Sequence, residues 1–116
     1  MNADKVYLVG FMGAGKTTVA RMLGRRLGWR FEDIDECIEA RERRSVATIF
    51  AQQGEPYFRQ QERKVLGDLL PERHVIVATG GGTFAEADNR ALMLADGAVA
   101  WLGVPLAQVM SRVPAH

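Results

Sequence analysis

Disulfides, metal clusters and membrane spans are what this sequence lacks first. One cysteine, Cys37, excludes an internal disulfide and fits a reducing, cytoplasmic setting. The two histidines, His74 and His116, have no partners at metal-ligand spacing, so a zinc site has no support. A net charge of +1 gives no footprint for nucleic acid or an anionic membrane. No stretch approaches the roughly 20 apolar residues that span a bilayer. The apolar run from Val6 to Ala14 is long enough for a signal-peptide core, but the glycine-lysine loop that ends it is the wrong flank. Repeats, low-complexity linkers and a second domain are absent too.

What remains is ordinary globular composition, with 47% hydrophobic and 25% charged residues over 116 positions. We read residues 1–116 as one domain. Its organising stretch runs from Val6 to Thr18. Val6–Val9 reads as a short buried strand. Gly10-Phe11-Met12-Gly13-Ala14-Gly15-Lys16-Thr17 then fits G-x-x-x-x-G-K-[ST], and a helical pattern follows. Chance yields this pattern in on the order of one chain in a few hundred of this length, and the strand and helix lower that further.

The chemistry of such a loop is direct. Glycines let successive backbone N–H groups turn inward around a phosphate. The helix adds unpaired N–H groups and a positive dipole end. Lys16 brings a charge to the β- and γ-phosphates, and the Thr17 hydroxyl suits a Mg²⁺ ligand. A phosphate-bearing ligand with Mg²⁺ is therefore expected at this loop.

Downstream, Val19, Met22, Leu23 and Leu27 recur at helical spacing, with a stop at Gly28. Trp29–Asp33 reads as a second strand, and Ile34 and Ile38 as a helix reaching Arg41–Arg44. Ser45 is a candidate N-cap for a helix with Val46, Ile49 and Phe50 on one face. Gly54 stops it, and Glu55-Pro56 opens the next, whose buried face is Phe58, Val65, Leu66, Leu69 and Leu70. His74–Thr79 is a strand running into Gly80-Gly81-Gly82. Glu86–Ala95 is helical, Ala98–Leu102 a strand, and Pro105 to about Arg112 a last helix. Alternating strands and helices predict a parallel sheet covered on both faces. Right-handed crossovers put all strand ends on one edge, where ligands bind.

Three candidate sites fall at that edge: the loop, Asp33/Asp35, and Gly80–Gly82. The two aspartates read either as helix N-terminal acids or as a metal ligand and an acceptor for a substrate hydroxyl proton. Arg59 and Glu62, three apart on one helix face, are either a surface ion pair or a braced fork for a substrate carboxylate. Phe58 beside them is either core or an apolar wall. Three glycines exceed what a turn needs and let a ligand approach the backbone.

These landmarks together resemble the shikimate kinase family: Gly10–Thr18, Asp33-Ile34-Asp35, the Ser45–Phe50 helix, Gly54-Glu55 with Phe58-Arg59 and Glu62, and Thr79–Gly82. The likeness runs from about Val6 to Arg112. It implies a three-layer α/β/α P-loop kinase fold with a central parallel sheet, and ATP- and Mg²⁺-dependent phosphorylation of the shikimate 3-hydroxyl. It implies Lys16 and Asp35 as catalytic residues, and nucleotide contacts from Gly13, Ala14, Gly15, Lys16, Thr17, Thr18 and Arg112. Metal ligands would be Thr17 and Asp33. Shikimate would meet Asp35, Arg59, Gly80, Gly81 and Gly82, with Phe50 and Phe58 lining its ring pocket. The expected partner is that small molecule, and the expected state a monomer. The family continues with an arginine-bearing lid, a further strand and a helix, so four strands are expected here where the family has five. Two alternatives stay open: another small-molecule kinase resembling gluconate kinase, or a nucleotide-binding module impaired in catalysis.

Overall fold

A computed structural model of the chain describes residues 4–10 and 16–102. Four strands, β1 (Lys5–Gly10), β2 (Arg30–Asp33), β3 (Val75–Gly80) and β4 (Ala98–Leu102), form one sheet in the order β2-β3-β1-β4. Every neighbouring pair is parallel. Six helices connect them: α1 (Lys16–Leu27), α2 (Ile34–Glu42), α3 (Val46–Gln53), α4 (Glu55–Leu69), α5 (Gly81–Ala85) and α6 (Ala87–Asp96). The expected helix from Pro105 to Arg112 lies outside the described residues.

Both faces of the sheet are covered, because side chains alternate along each strand. Val6 and Leu8 of β1 and Ile76 of β3 pack under Val19, Ala20 and Leu23 of α1. Tyr7, Val75 and Val77 point the other way, against Ile34, Ile38, Ile49, Phe58, Leu66 and Met93 of the remaining helices. The central strands are therefore buried along their length, while β2 at the edge is half-exposed. The three-layer arrangement of the sequence reading is the one observed.

Local rules set the helix ends. The Ser45 hydroxyl accepts the Thr48 N–H at 3.1 Å, the cap expected of it. Gly54, at φ 86°, ends α3 and starts α4, and Pro56 sits in the first turn of α4. Three expectations need correction. Leu70, read on the buried face of α4, caps that helix and is only half-buried. Met22, placed on the buried stripe of α1, is 41% exposed. The next helix after β3, expected from about Glu86, is preceded by a short one, because Gly81 and Gly82 already belong to α5.

The strand starts are tied down by a polar knot that the sequence did not announce. Lys5 is fully buried; its Nζ donates to the carbonyls of Leu69 and Leu70 and pairs with Asp96 at 2.7 Å. Tyr7 Oη donates to Asp96 Oδ2 at 2.7 Å, and Arg73 to Asp96 Oδ1 at 2.6 Å. Burial opposes charge on Asp96, but hydrogen bonds from Lys5, Tyr7 and Arg73 outweigh it and hold its pKa below the ordinary 3.8. A depressed carboxylate contributes stability above its unfolded pKa and loses it as pH falls through the folded one. The urea midpoint is thus expected to drop as pH is lowered below 3.8. Asp96→Asn is expected to cost about 1–3 kcal/mol at neutral pH and to flatten that acid limb. Equilibrium urea unfolding across pH checks both.

Candidate functional site

The sheet order decides which strand ends are neighbours. β3 lies between β1 and β2, so the exits of β1, β3 and β2 stand side by side on one edge. Gly10 pairs with Gly80, and Asp33 with Ala78, which puts the three exits nearly level. Two strand spacings of roughly 4.8 Å separate β1 from β2, so the edge spans about 10 Å.

At the β1 exit, α1 begins at Lys16. Gly13, Ala14 and Gly15, like Arg112, lie outside the described residues. Lys16 and Thr17 are placed as the start of α1, and Thr18 follows them, exposed.

At the β2 exit, Asp33 is the N-cap of α2, and its Oδ1 accepts the Glu36 N–H at 3.1 Å. Asp35, half-buried, is the second residue of that helix. The plain reading of these acids as helix-terminal residues therefore holds for Asp33. It does not exhaust the carboxylate, since the cap uses Oδ1 alone.

The β3 exit carries the tightest arrangement. The Arg59 Nη1 donates to Glu62 Oε1 at 2.6 Å, and Nη2 approaches Glu55 Oε2 at 3.5 Å. Glu62 is only 2% exposed, so this is not a surface ion pair of negligible worth. Burial works against charge on Arg59, but the Glu62 hydrogen bond and charge outweigh it, and the guanidinium pKa is raised. Arg59 also lies over the Phe58 ring at 5.7 Å. Gly82 closes on the same group: a Cβ there would stand 2.5 Å from Nη1 and 2.6 Å from Cζ and Nη2 of Arg59. At Gly80, by contrast, a Cβ would meet nothing within 4 Å. The backbone of β3 thus ends in open space, bordered by a positioned cation.

Phe50 and Phe58 meet at 4.9 Å between ring centroids. Phe58 is 2% exposed and belongs to the core, while Phe50 is half-buried at its margin. Cys37 is not a nucleophile in this setting: burial, then the nearby Glu32 carboxylate, pushes its thiol up to about 11. A shallow cleft lined by Arg21, Gly24, Arg25, Trp29 and Phe31 lies at the opposite, strand-start edge.

Two residues escaped the sequence reading. The Thr83 hydroxyl donates to Glu62 Oε2 at 2.5 Å, and Asn89 Nδ2 donates to the Thr83 carbonyl at 3.2 Å. Both side chains are buried. A hydroxyl directly after the triple glycine was a usable signal for Thr83; Asn89 had none.

Comparison with known proteins gives a consistent set of likenesses. The family model for shikimate kinase matches residues 12–116. A shikimate kinase from Thermosynechococcus vestitus is 48% identical over 113 residues, covering 97% of this chain and 61% of that protein. One from Persephonella marina is 44% identical over 107 residues, covering 92% and 65%. A solved shikimate kinase from Acinetobacter baumannii, in complex with shikimate, is 40% identical with a TM-score of 0.84, covering 96% of this chain and 62% of that one. The chain thus spans less than two thirds of the length of these relatives.

Proposed function

The chain belongs to the shikimate kinase family, and from that premise we propose that it carries the nucleotide and substrate sites of an ATP:shikimate 3-phosphotransferase. The observation that carries the reading is Arg59, braced by buried Glu62 and pressed against Gly82 at the β3 exit, next to the exit of β1. A planar fork of donors matches a planar carboxylate, and the A. baumannii relative is a complex with shikimate, which carries one.

In the proposed reaction the shikimate O3 attacks the γ-phosphorus of ATP. The O3–P bond forms, the bond from phosphorus to the β,γ-bridging oxygen breaks, and ADP leaves. Asp35 accepts the hydroxyl proton as O3 attacks. Lys16 neutralises charge on the β- and γ-phosphates, and the loop through Gly13, Ala14 and Gly15 cradles them with backbone N–H groups. Arg59 fixes the ring by its carboxylate, the backbone at Gly80, Gly81 and Gly82 cradles the substrate, and Phe50 borders the ring. Fixing both reactants removes most of the entropic barrier of a bimolecular step.

Thr17 and Asp33 offer only oxygen donors, a set that suits Mg²⁺ over a soft transition metal. Thr17 and Asp33 would hold the ion, which would supply positive charge to offset that of the phosphates. Because Asp33 is also a cap, the two roles separate by substitution. Asp33→Asn keeps the cap and is expected to leave thermal stability near wild type while raising the Mg²⁺ needed for half-maximal turnover. Asp33→Ala is expected to lose about 1 kcal/mol in addition. Mg²⁺ titrations and melting curves check this.

We also place the protein in the cytoplasm as a monomer. ATP as donor fits that compartment. Among the described residues the exposed large apolar side chains are Met22 on α1 and Leu92 and Leu94 on α6, and the two helices lie on opposite faces of the sheet. Among the described residues no helix is long and apolar enough to cross a membrane.

The deciding experiment is shikimate-dependent ADP formation, measured in a coupled assay on a chain extended to the length of the relatives. Turnover with shikimate and little with gluconate is expected. Preference for gluconate, or no turnover with either, overturns the proposal.

A further inference from the structure

We propose that Thr83, backed by Asn89, is a positioning residue for carboxylate recognition: it aims Arg59 by orienting the Glu62 carboxylate that holds it. This rests on the reading of Arg59 as the substrate-carboxylate ligand. The argument starts with Glu62. The last torsion of a glutamate side chain is broad and soft, so a carboxylate held by one oxygen still swivels. Here each oxygen has its own anchor, Arg59 Nη1 on Oε1 and the Thr83 hydroxyl on Oε2. Two anchors on opposite oxygens fix the plane of the carboxylate, and with it the direction of the guanidinium.

The anchors come from different elements, which makes the alignment a tertiary property. Arg59 and Glu62 are on α4, and Thr83 is on α5, one residue beyond the Gly82 that touches the guanidinium. α5 is only five residues long and would be a weak anchor alone. The Asn89 side chain, reaching back from α6 to the Thr83 carbonyl, ties it to a ten-residue helix. Thr83 is fully buried and Asn89 nearly so, so neither touches a substrate; they act through Glu62 and Arg59.

The test compares Thr83→Val, which keeps the shape and removes the hydroxyl, with Thr83→Ser, which restores it. In the extended enzyme, Thr83→Val is expected to raise the KM for shikimate about 5- to 10-fold, the net worth of one ordinary hydrogen bond, because the loss reaches the substrate only through Glu62 and Arg59. Its kcat and KM for ATP are expected to change by less than about twofold, and Thr83→Ser to return KM to near wild type. Thr83→Ala gives the same readout should valine prevent folding. A second measurement needs no substrate. The Arg59 Nε–H resonance in the substrate-free protein is expected to be sharp in wild type and Thr83→Ser, and exchange-broadened in Thr83→Val. A broadened resonance in a protein that does not bind shikimate sinks the functional reading and leaves the positioning role standing. Unchanged KM with an unchanged resonance, alongside any loss of melting temperature, overturns the inference and leaves Thr83 a packing residue.

Discussion

One methyl group added at position 82 is expected to remove most of the carboxylate recognition while leaving the fold in place. In Gly82→Ala the new Cβ would fall 2.5–2.6 Å from three guanidinium atoms of Arg59, far inside contact distance. The end of a long side chain yields more readily than backbone, so Arg59 swings away. Gly82 is helical, where alanine is preferred by about 0.5–1 kcal/mol, and this offsets part of the lost Arg59–Glu62 bond. The expected net loss of stability is about 1–2 kcal/mol. Recognition suffers more: two charge-assisted hydrogen bonds to the substrate carboxylate, at about 1.5–3 kcal/mol each, correspond to an increase in KM for shikimate of about 10²- to 10⁴-fold. Steady-state kinetics and a melting curve on the same preparation decide it. A stable variant with wild-type KM would show that Arg59 does not grip the substrate.

Asp35→Asn is expected to lower kcat by about 10²- to 10⁴-fold, the usual worth of a general base, with ATP affinity close to wild type. The structure supplies the contrast that makes this informative. Asp35 lies in the first turn of α2, where an acid contributes at most about 0.3–1 kcal/mol through the helix dipole. If that were its whole task, the variant would melt slightly earlier and turn over normally. Stopped assays for ADP, paired with a nucleotide-binding titration, separate the two outcomes.

Much of this site was legible because it depends on local order. A strand, a glycine loop and a helix are contiguous, so the phosphate loop announces itself in a dozen residues. Asp33 and Asp35 sit where a strand turns into a helix, and Arg59 and Glu62 share a helix face by simple periodicity. The apolar stripes of α4, β1 and β3 named the core, with Met22 on α1 and Leu70 just past α4 as exceptions. What stayed hidden lies between elements. Nothing in residues 75–80 says that β3 inserts between β1 and β2, yet that insertion brings the three exits together. Nothing in Thr83 says that its hydroxyl will find Glu62, 21 positions earlier. Lys5, one residue before the strand read from Val6, is buried against Asp96, 91 positions away.

The order of elements, the phosphate loop and the chemical types available at the strand exits were determined by the sequence by itself, since each follows from neighbours a few residues apart. Only the tertiary structure decided which exits adjoin, that Gly82 closes on Arg59, and that a buried hydroxyl meets the Glu62 that holds it. The physical reason is range. Backbone geometry and periodicity act within a turn or a strand, whereas a guanidinium is aimed by groups that meet only once helices from distant parts of the chain have packed on a shared sheet.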